Sequence, residues 1–408
     1  MIRTAAVLSA LLASVALAAC GSDSSSSNII PTKEVSAEIP ASGCGSVPTP
    51  APEDKDGALK ALGEQYQASY AGYQTPISKS VWADYKPNHP PPYKVGISWG
   101  PLVTDVQIKN YNMLQKMLKA EGIEVSATTT EGVNIPQQLG QVQTLLRAKP
   151  DILVVQGNTD AFGPLANKAG KQGIPMISIS NTTTGSDYVV NMEPNNYLNG
   201  AMAASTVLRQ IGGKGDVLLV HGFASTGVDQ DRFKAYRAAI RACPGVKVAG
   251  EIAGAFIPAT AKSETLKFLA THPGKVDAVL QTSGMAPGVM SGFEEAGRPM
   301  PAIGDVGAMN GSLGYWNDNK DDFHGYGLGF SQEDFARSQT ALIKGMLDGR
   351  GLKISDIASP YEPISTKNLG EWAKEGNDLR TPGIADGPGG TFMGTEFIDG
   401  LFERKAAN

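Results

Sequence analysis

From Tyr93 onward the chain alternates between two hydrophobic rhythms. Short runs rich in β-branched and aromatic residues, the first being Tyr93-Lys94-Val95-Gly96-Ile97-Ser98-Trp99, give way to stretches whose apolar residues return every three or four positions. The first such stretch, 106–121, carries Tyr111, Leu114 and Leu118 on one stripe and stops at Gly122, after which Ile123-Glu124-Val125 opens the next strand. In the following helix Leu139, Val142, Leu145 and Leu146 share a face. Pro136 stands in its first turn, where a missing N–H is harmless. Lys149-Pro150-Asp151 breaks that helix ahead of Ile152-Leu153-Val154-Val155, an unbroken apolar run suited to a strand buried on both faces. Helix 161–172 and strand 174–180 repeat the scheme.

A second series starts after Asn191. Helix 196–211 has Leu198, Ala201, Met202, Ser205 and Leu208 in its stripe, and strand 217–220 follows. Next come helix 229–242 (Phe233, Tyr236, Ile240), strand 246–251, helix 260–271, strand 276–281 and helix 286–296. Strands separated by amphipathic helices predict parallel sheets with crossover helices. Two sets of such units predict an α/β protein of two doubly wound parallel-sheet lobes. Sheets of this kind bind ligands outside the carboxyl ends of their strands, so function is expected in the loops that follow strands.

The residues ahead of Tyr93 differ in character. Arg3, the apolar run Thr4 to Ala16 and the small residues up to Cys20 stand in the order of a signal peptide. The apolar run is shorter than the roughly 18–20 residues a spanning helix needs. Leu17-Ala18-Ala19-Cys20 is similar to a bacterial lipobox, which implies a leader over 1–20 and a lipid on Cys20. The Ser- and Pro-rich stretch 21–50 reads as a tether. Residues 51–92 read as an N-terminal extension punctuated by Pro52 and Pro90-Pro91-Pro92, with one helical stretch near Asp56 to Tyr73. About 360 residues beyond leader and tether are enough for two domains of ordinary size.

Of the 408 residues 41% are apolar and 18% charged, a globular balance, and the net charge of −5 argues against a nucleic-acid surface. With Cys20 lipidated, Cys44 and Cys243 remain, an even number in an oxidising compartment. They either pair as a disulfide or stay as two thiols. His89, His221, His272 and His324 stand far apart and lack metal-ligand spacing. Gly222-Phe223-Ala224-Ser225-Thr226-Gly227 has one residue too many before the serine for a hydrolase elbow. Gly163…Gly170-Lys171 misses the P-loop spacing, and Gly325-Tyr326-Gly327-Leu328-Gly329 shares only glycine content with a dinucleotide loop. No catalytic residue, metal or cofactor is expected.

The order and spacing of VGIS at 95–98, GIEV at 122–125, QLGQVQTLLRAKPDILVV at 138–155 and GIPMISISN at 173–181 continue through four further phrases. These are NMEPNNYLNGAMAA at 191–204, DRFKAYRAAIRACPGVKV at 231–248, HPGKVDAVLQTSGMAPGVM at 272–290 and EEAGRPMPAIGDVG at 294–307. Over roughly residues 93–350 the chain resembles the type I periplasmic binding protein family, in its ribose-binding-like, sugar ABC transporter branch. The resemblance implies an N-terminal lobe of 93–192 plus about 331–360 and a C-terminal lobe of 193–330 plus about 361–408. Three hinge crossovers would lie near Met192–Asn195, Phe330–Gln332 and Ser359–Pro363. It implies a receptor at the cell envelope that is not an enzyme. Such a receptor closes on a small molecule and presents it to an ABC permease with its ATPase. The lipid on Cys20 would hold it to a membrane. Repressors sharing this fold carry a DNA-binding segment in front, where this chain has an export signal.

The resemblance also places ligand contacts. Trp99, Thr104 and Asp105 fall in the loop after the first strand. Trp99 would either stack on a sugar face or pack under the loop. Asp105 would accept hydroxyls or, the favoured alternative, cap helix 106–121. Ser180-Asn181 stand where sugar-binding relatives carry Asp-Arg, Gln230 where they carry arginine, and Thr282-Ser283 where they carry Asn-Asp. Asp305, or Val306 with a slip of one, falls near a family aspartate, and Phe256 at an aromatic wall. Phe330, Ser331 and Gln332 fall at a crossover where relatives place glutamine. These positions keep hydrogen-bonding groups and lose most charge, and charge-assisted hydrogen bonds are roughly twice as strong as neutral ones. A neutral sugar, polyol or related metabolite is the expected ligand. The alternatives are a sensing receptor for a signalling partner and an envelope hydrolase.

Overall fold

A computed structural model describes residues 43–404 except 133, 158, 159, 390 and 391. The expected leader, Cys20 and most of the tether lie outside the described residues. Twelve strands follow in chain order: β1 (Lys94–Trp99), β2 (Glu124–Thr129), β3 (Ile152–Gln156), β4 (Met176–Ile179), β5 (Val189–Pro194), β6 (Lys214–His221), β7 (Gly245–Ala253), β8 (Ala278–Gln281), β9 (Ala302–Gly304), β10 (Gly325–Gly329), β11 (Asp356–Ser359) and β12 (Glu362–Ile364). The helices that matter below are α1 (Asp105–Ala120), α2 (Ile135–Arg147), α3 (Gly163–Gly170), α4 (Asn196–Gln210), α5 (Gly227–Arg241), α6 (Pro258–Thr271), α7 (Ala286–Glu295), α8 (Asn310–Asp318), α9 (Gln332–Leu347), α10 (Leu369–Trp372) and α11 (Thr395–Gly400).

Two six-stranded sheets result, ordered β11-β5-β4-β3-β1-β2 and β12-β10-β9-β8-β6-β7. The first is wholly parallel, and the second is parallel apart from β12, which runs antiparallel to β10. Ile97 pairs with Ala127 on one side and Val154 on the other. Every residue of β3 is buried, as its unbroken apolar run requires. Pro136 opens α2. Among the described residues no helix is long and apolar enough to cross a membrane.

Between β1 and β12 the described chain crosses from one sheet to the other three times: from β5 into α4, which packs on β8, β9 and β10; from β10 into α9, which packs on α1; and from β11 to β12. The crossings are tied together, since Asn199 Oδ1 of α4 accepts the Tyr361 N–H at 2.8 Å.

Residues 43–92 are built into both lobes. Tyr66, Tyr70, Tyr73, Ile77 and Trp82 belong to the core of the first lobe. The Tyr70 hydroxyl donates to the Asp356 carbonyl at 2.8 Å, and Asn195 Nδ2 at the first crossing donates to the Ser69 and Ala71 carbonyls at 2.8 and 3.0 Å. A disulfide joins Cys44 to Cys243 of the second lobe, with Cα atoms 4.4 Å apart. Beside it Arg209 Nη1 donates to the Gly45 carbonyl at 2.6 Å. The single helical stretch expected over 56–73 is instead three short turns, Ala58–Ala61, Glu64–Gln67 and Ala68–Tyr70. Gly63 takes extended backbone between the first two and Gly72 has φ 69°, so the segment turns to bury its tyrosines rather than running straight.

The segment after β12 divides between the lobes. Leu369, Trp372, Ile384 and Ala385 enter the second lobe's core, whereas Phe392, Met393, Phe397 and Phe402 enter the first lobe's.

Candidate functional site

Backbone strain gathers at the strand tips. Ser180 (φ 64°) follows β4, Ala255 and Phe256 (55° and 58°) follow β7, Ser283 (95°) follows β8 and Asp305 (61°) follows β9. A side chain held at positive φ costs on the order of 1–3 kcal/mol, and such residues concentrate at ligand clamps. The only other described non-glycine residues at positive φ are Lys149 and Met393.

On the second lobe, Thr226 caps α5 by accepting the Asp229 N–H at 3.3 Å. The Asp229 carboxylate in turn accepts the Gly222 N–H and meets His221 Nδ1, each at 2.7 Å. His221 stacks on Phe233 at 3.4 Å and reaches Glu251 at 3.2 Å, so it is held between two carboxylates rather than lying free in a loop. A turn further along α5, Arg232 forms an ion pair with Asp305, both without exposed surface. Burial works against the Arg232 charge, but the Asp305 carboxylate holds the guanidinium above its ordinary value. Burial likewise raises Asp305, against the pull of Arg232. Arg232 stays charged, because a guanidinium does not release its proton in a protein. Arg232 also lies 5.8 Å from the Tyr361 ring, which stacks on Phe330 at 4.7 Å.

This floor carries polar atoms that nothing in the protein satisfies: Arg232 Nε and Nη2, Asp305 Oδ1, Thr282 Oγ1 and Gln332 Oε1. Unpaired buried polar groups cost about 1–3 kcal/mol each, and others stand elsewhere in both lobes, at Thr128, Thr265 and Ser355 among them. Phe256 meets Phe223 edge-on at 5.6 Å on the half-open rim.

The structure treats the expected contacts unevenly. Asp305 pairs with Arg232, which lies beside Tyr361 and through it Phe330, and Thr282 is buried at the tip of β8. Asn181 is buried beside β4, its carbonyl accepting from Ser178 Oγ at 2.7 Å, while Ser180, Ser283 and Phe256 remain partly open. Trp99 is only 1% exposed and packs against Tyr111 at 5.7 Å under the loop. Thr104, not Asp105, caps α1, accepting the Gln107 N–H at 3.3 Å. Asp105 is the first helical residue, and its carboxylate is exposed. Gln230 is exposed and donates to the Ala224 carbonyl of its own loop at 3.2 Å. Ser331 caps α9 and Gln332 is buried.

Two floor residues escaped sequence reasoning. Tyr361 offered no signal. Arg232 did, because it shares the apolar stripe of Phe233 and Tyr236, where a charge requires a buried partner. The floor is therefore not depleted of charge; its charge is already paired. Among the described residues no group of His, Cys, Asp and Glu could hold a metal. A shallow pocket lined by Pro273, Lys275, Val276, Phe293, Arg298 and Pro299 lies at the amino end of β8, away from the strand tips.

Two parallel-sheet lobes, three crossings and a strained, polar set of strand tips define a two-lobed α/β protein of the periplasmic binding type. The chain belongs to the periplasmic binding protein domain family, whose model matches residues 102–351. It is 24% identical over 196 residues to the xylitol-binding protein of Mycolicibacterium smegmatis, covering 47% of this chain and 56% of that one. It is 24% identical over 189 residues to the ribose import binding protein of Escherichia coli, covering 46% of this chain and 63% of that one. The matches thus span somewhat over half the length of these curated relatives. Among solved structures, an ABC sugar transporter subunit from Rhodobacter sphaeroides aligns with TM-score 0.59 and 26% identity over 68% of this chain and 99% of that one. A Bacillus halodurans ABC transporter solute binding protein with bound myo-inositol aligns with TM-score 0.62 and 15% identity, over 70% of this chain and 99% of that one.

Proposed function

We propose that the protein is an exported, lipid-anchored solute-binding protein that closes on a small neutral polar ligand, a sugar or polyol, and presents it to an ABC importer. The observation that carries this reading is the set of unsatisfied polar atoms on Arg232, Thr282, Asp305 and Gln332 at the strand tips between the lobes. Hydroxyl groups both donate and accept, so one polyol can serve a guanidinium, a carboxylate, a hydroxyl and an amide together. Because the Arg232 charge is already balanced by Asp305, a ligand with net charge would leave the site unbalanced. Ser180, Asn181, Ser283 and Phe256 extend the contact surface, with Phe256 offering a ring face. Capture by closure follows from differential affinity: a ligand touching both lobes gains contacts only when they meet. Cys20 would carry the lipid that keeps the receptor near its permease.

A thermal-shift series with xylitol, D-ribose and myo-inositol tests this. A true ligand at one hundred times its dissociation constant stabilises the folded state by about 2.7 kcal/mol. The expected outcome is a concentration-dependent rise with at least one polyol and recovery of that polyol unchanged. A rise only with charged metabolites, or conversion to product, contradicts the reading. A sensing role on the same cleft is the second reading, supported by a solved neighbour that is the fructose-binding periplasmic domain of a hybrid two component system, with TM-score 0.59 and 19% identity.

A further inference from the structure

The stretch after α10 passes between the lobes on the side of the strand tips. Ile384 bridges Met309 in antiparallel fashion, the Asn310 N–H donates to the Gly383 carbonyl at 3.0 Å, and the Ala385 N–H donates to the Ala308 carbonyl at 2.8 Å. Residues 382–385 therefore lie along the loop that leaves β9 and starts α8, in the second lobe. On the opposite side the same stretch faces α1, which starts just beyond the tip of β1 in the first lobe. Lys109 Nζ stands 3.6 Å from Asp386 Oδ1. A Cβ placed on Gly383 would lie 3.6 Å from Asp105 Oδ2 and 3.3 Å from Asn310 Nδ2, so this position lies close to both lobes. A Cβ on Gly387 would come within 2.2 Å of Trp372 Cη2, and the same indole covers Gly329 at the tip of β10, where a Cβ would lie 2.5 Å from Cζ3.

We propose that residues 382–389, carried by the second lobe, form a third wall of the ligand cleft, so that access requires this stretch to part from α1 as the lobes part. The inference rests on the reading of the strand tips as a ligand site and adds a control on that site. Its ends are firmly held, by Trp372 in one lobe's core and Phe392 and Phe397 in the other's. Its middle, Pro382-Gly383-Ile384-Ala385-Asp386-Gly387-Pro388-Gly389, buries only Ile384 and Ala385. The Lys109 and Asp386 side chains are 40% and 63% exposed, and ion pairs of that kind are weak and screened by salt. Residues 382–385 are held to the second lobe by Ile384, Ala385 and hydrogen bonds to Ala308 and Asn310, whereas an exposed ion pair joins the stretch to α1, so the side toward the first lobe can part without unfolding the domain.

The test needs no ligand. Thr282→Cys places a thiol on the buried cleft floor, and its reaction with a small thiol reagent, followed at position 282 by mass spectrometry, reports access. Ser283→Cys serves if the first variant does not fold. Adding Lys109→Ala is expected to speed labelling roughly two- to five-fold, and the swapped pair Lys109→Asp with Asp386→Lys to restore the parent rate. Gly387→Ala, which collides with Trp372, should speed it more. Raised salt should accelerate the parent and leave the Lys109→Ala variant unchanged. Labelling rates that respond to neither Lys109→Ala nor Gly387→Ala overturn the proposal. Protection by xylitol is read separately. If xylitol protects nothing while both substitutions still speed labelling, the wall stands and the polyol assignment falls.

Discussion

Three carboxyl groups beside the crossings tie the stability of this molecule to pH. Burial pushes Glu193 up to about 7, against hydrogen bonds from Thr182 and from the Tyr73 hydroxyl. Burial also raises Asp356 to about 6, and burial with help from Asp334 and Glu371 raises Glu362 to about 8. A carboxyl whose folded value lies above its unfolded one binds its proton more tightly when folded. Its stabilising effect is full below the unfolded value and is lost as pH rises through the folded one. The urea midpoint is therefore expected to fall from about pH 5 to about pH 8. Glu193→Gln keeps an acceptor for Tyr73 and removes the charge. It should flatten part of that slope and gain on the order of 1–3 kcal/mol at pH 8. A variant that loses stability at pH 8 would show that the ionised Glu193 is fully satisfied where it is buried.

At the scale of single elements, the start of α1 separates what local sequence predicts from what geometry selects. Thr104 and Asp105 are both good cap residues, and the helical stripe fixes the helix without choosing between them. The backbone chooses, since Thr104 has the extended conformation of a cap (φ −126°, ψ 152°) and Asp105 is already helical. Thr104→Ala is expected to cost about 1 kcal/mol in urea unfolding, and Asp105→Ala only a few tenths, through the helix dipole. Equal costs would refute that placement. Strand β10 makes the converse point. Gly325-Tyr326-Gly327-Leu328-Gly329 lacks the β-branched residues that mark strands, so local sequence gives no strand signal there. It is a buried strand because neighbours need the space: a Cβ on Gly327 would meet Ile364 at 3.0 Å.

For the whole molecule, the extension adds a link between lobes that the three crossings do not provide. Its start is bonded to Cys243 in the second lobe, and Tyr66 to Trp82 are packed in the first. The bridge spans 199 positions in sequence, and closing so long a loop restricts the unfolded chain by as much as on the order of 3–5 kcal/mol. Cys44→Ser with Cys243→Ser, or reduction, should lower the urea midpoint accordingly without changing the circular dichroism of the folded state. An unchanged midpoint would mean that Arg209, Ser205 and the core tyrosines hold the extension unaided.

What the sequence determined by itself was periodic. The unbroken run at 152–155 and the stripes of α1, α2, α4 and α5 are local patterns, and a residue's place in such a pattern follows from its own chemistry. Those patterns specify two parallel-sheet lobes. Tertiary structure alone decided which tip residues face one another, because Arg232 and Asp305 lie 73 positions apart in sequence and only the packing of α5 on its sheet makes them a pair. The same holds for Tyr361 over Arg232, for Cys44 bonded to Cys243 and for the stretch at 382–389 laid against two lobes. Contacts between distant segments depend on how whole elements stack, and no local rhythm encodes that.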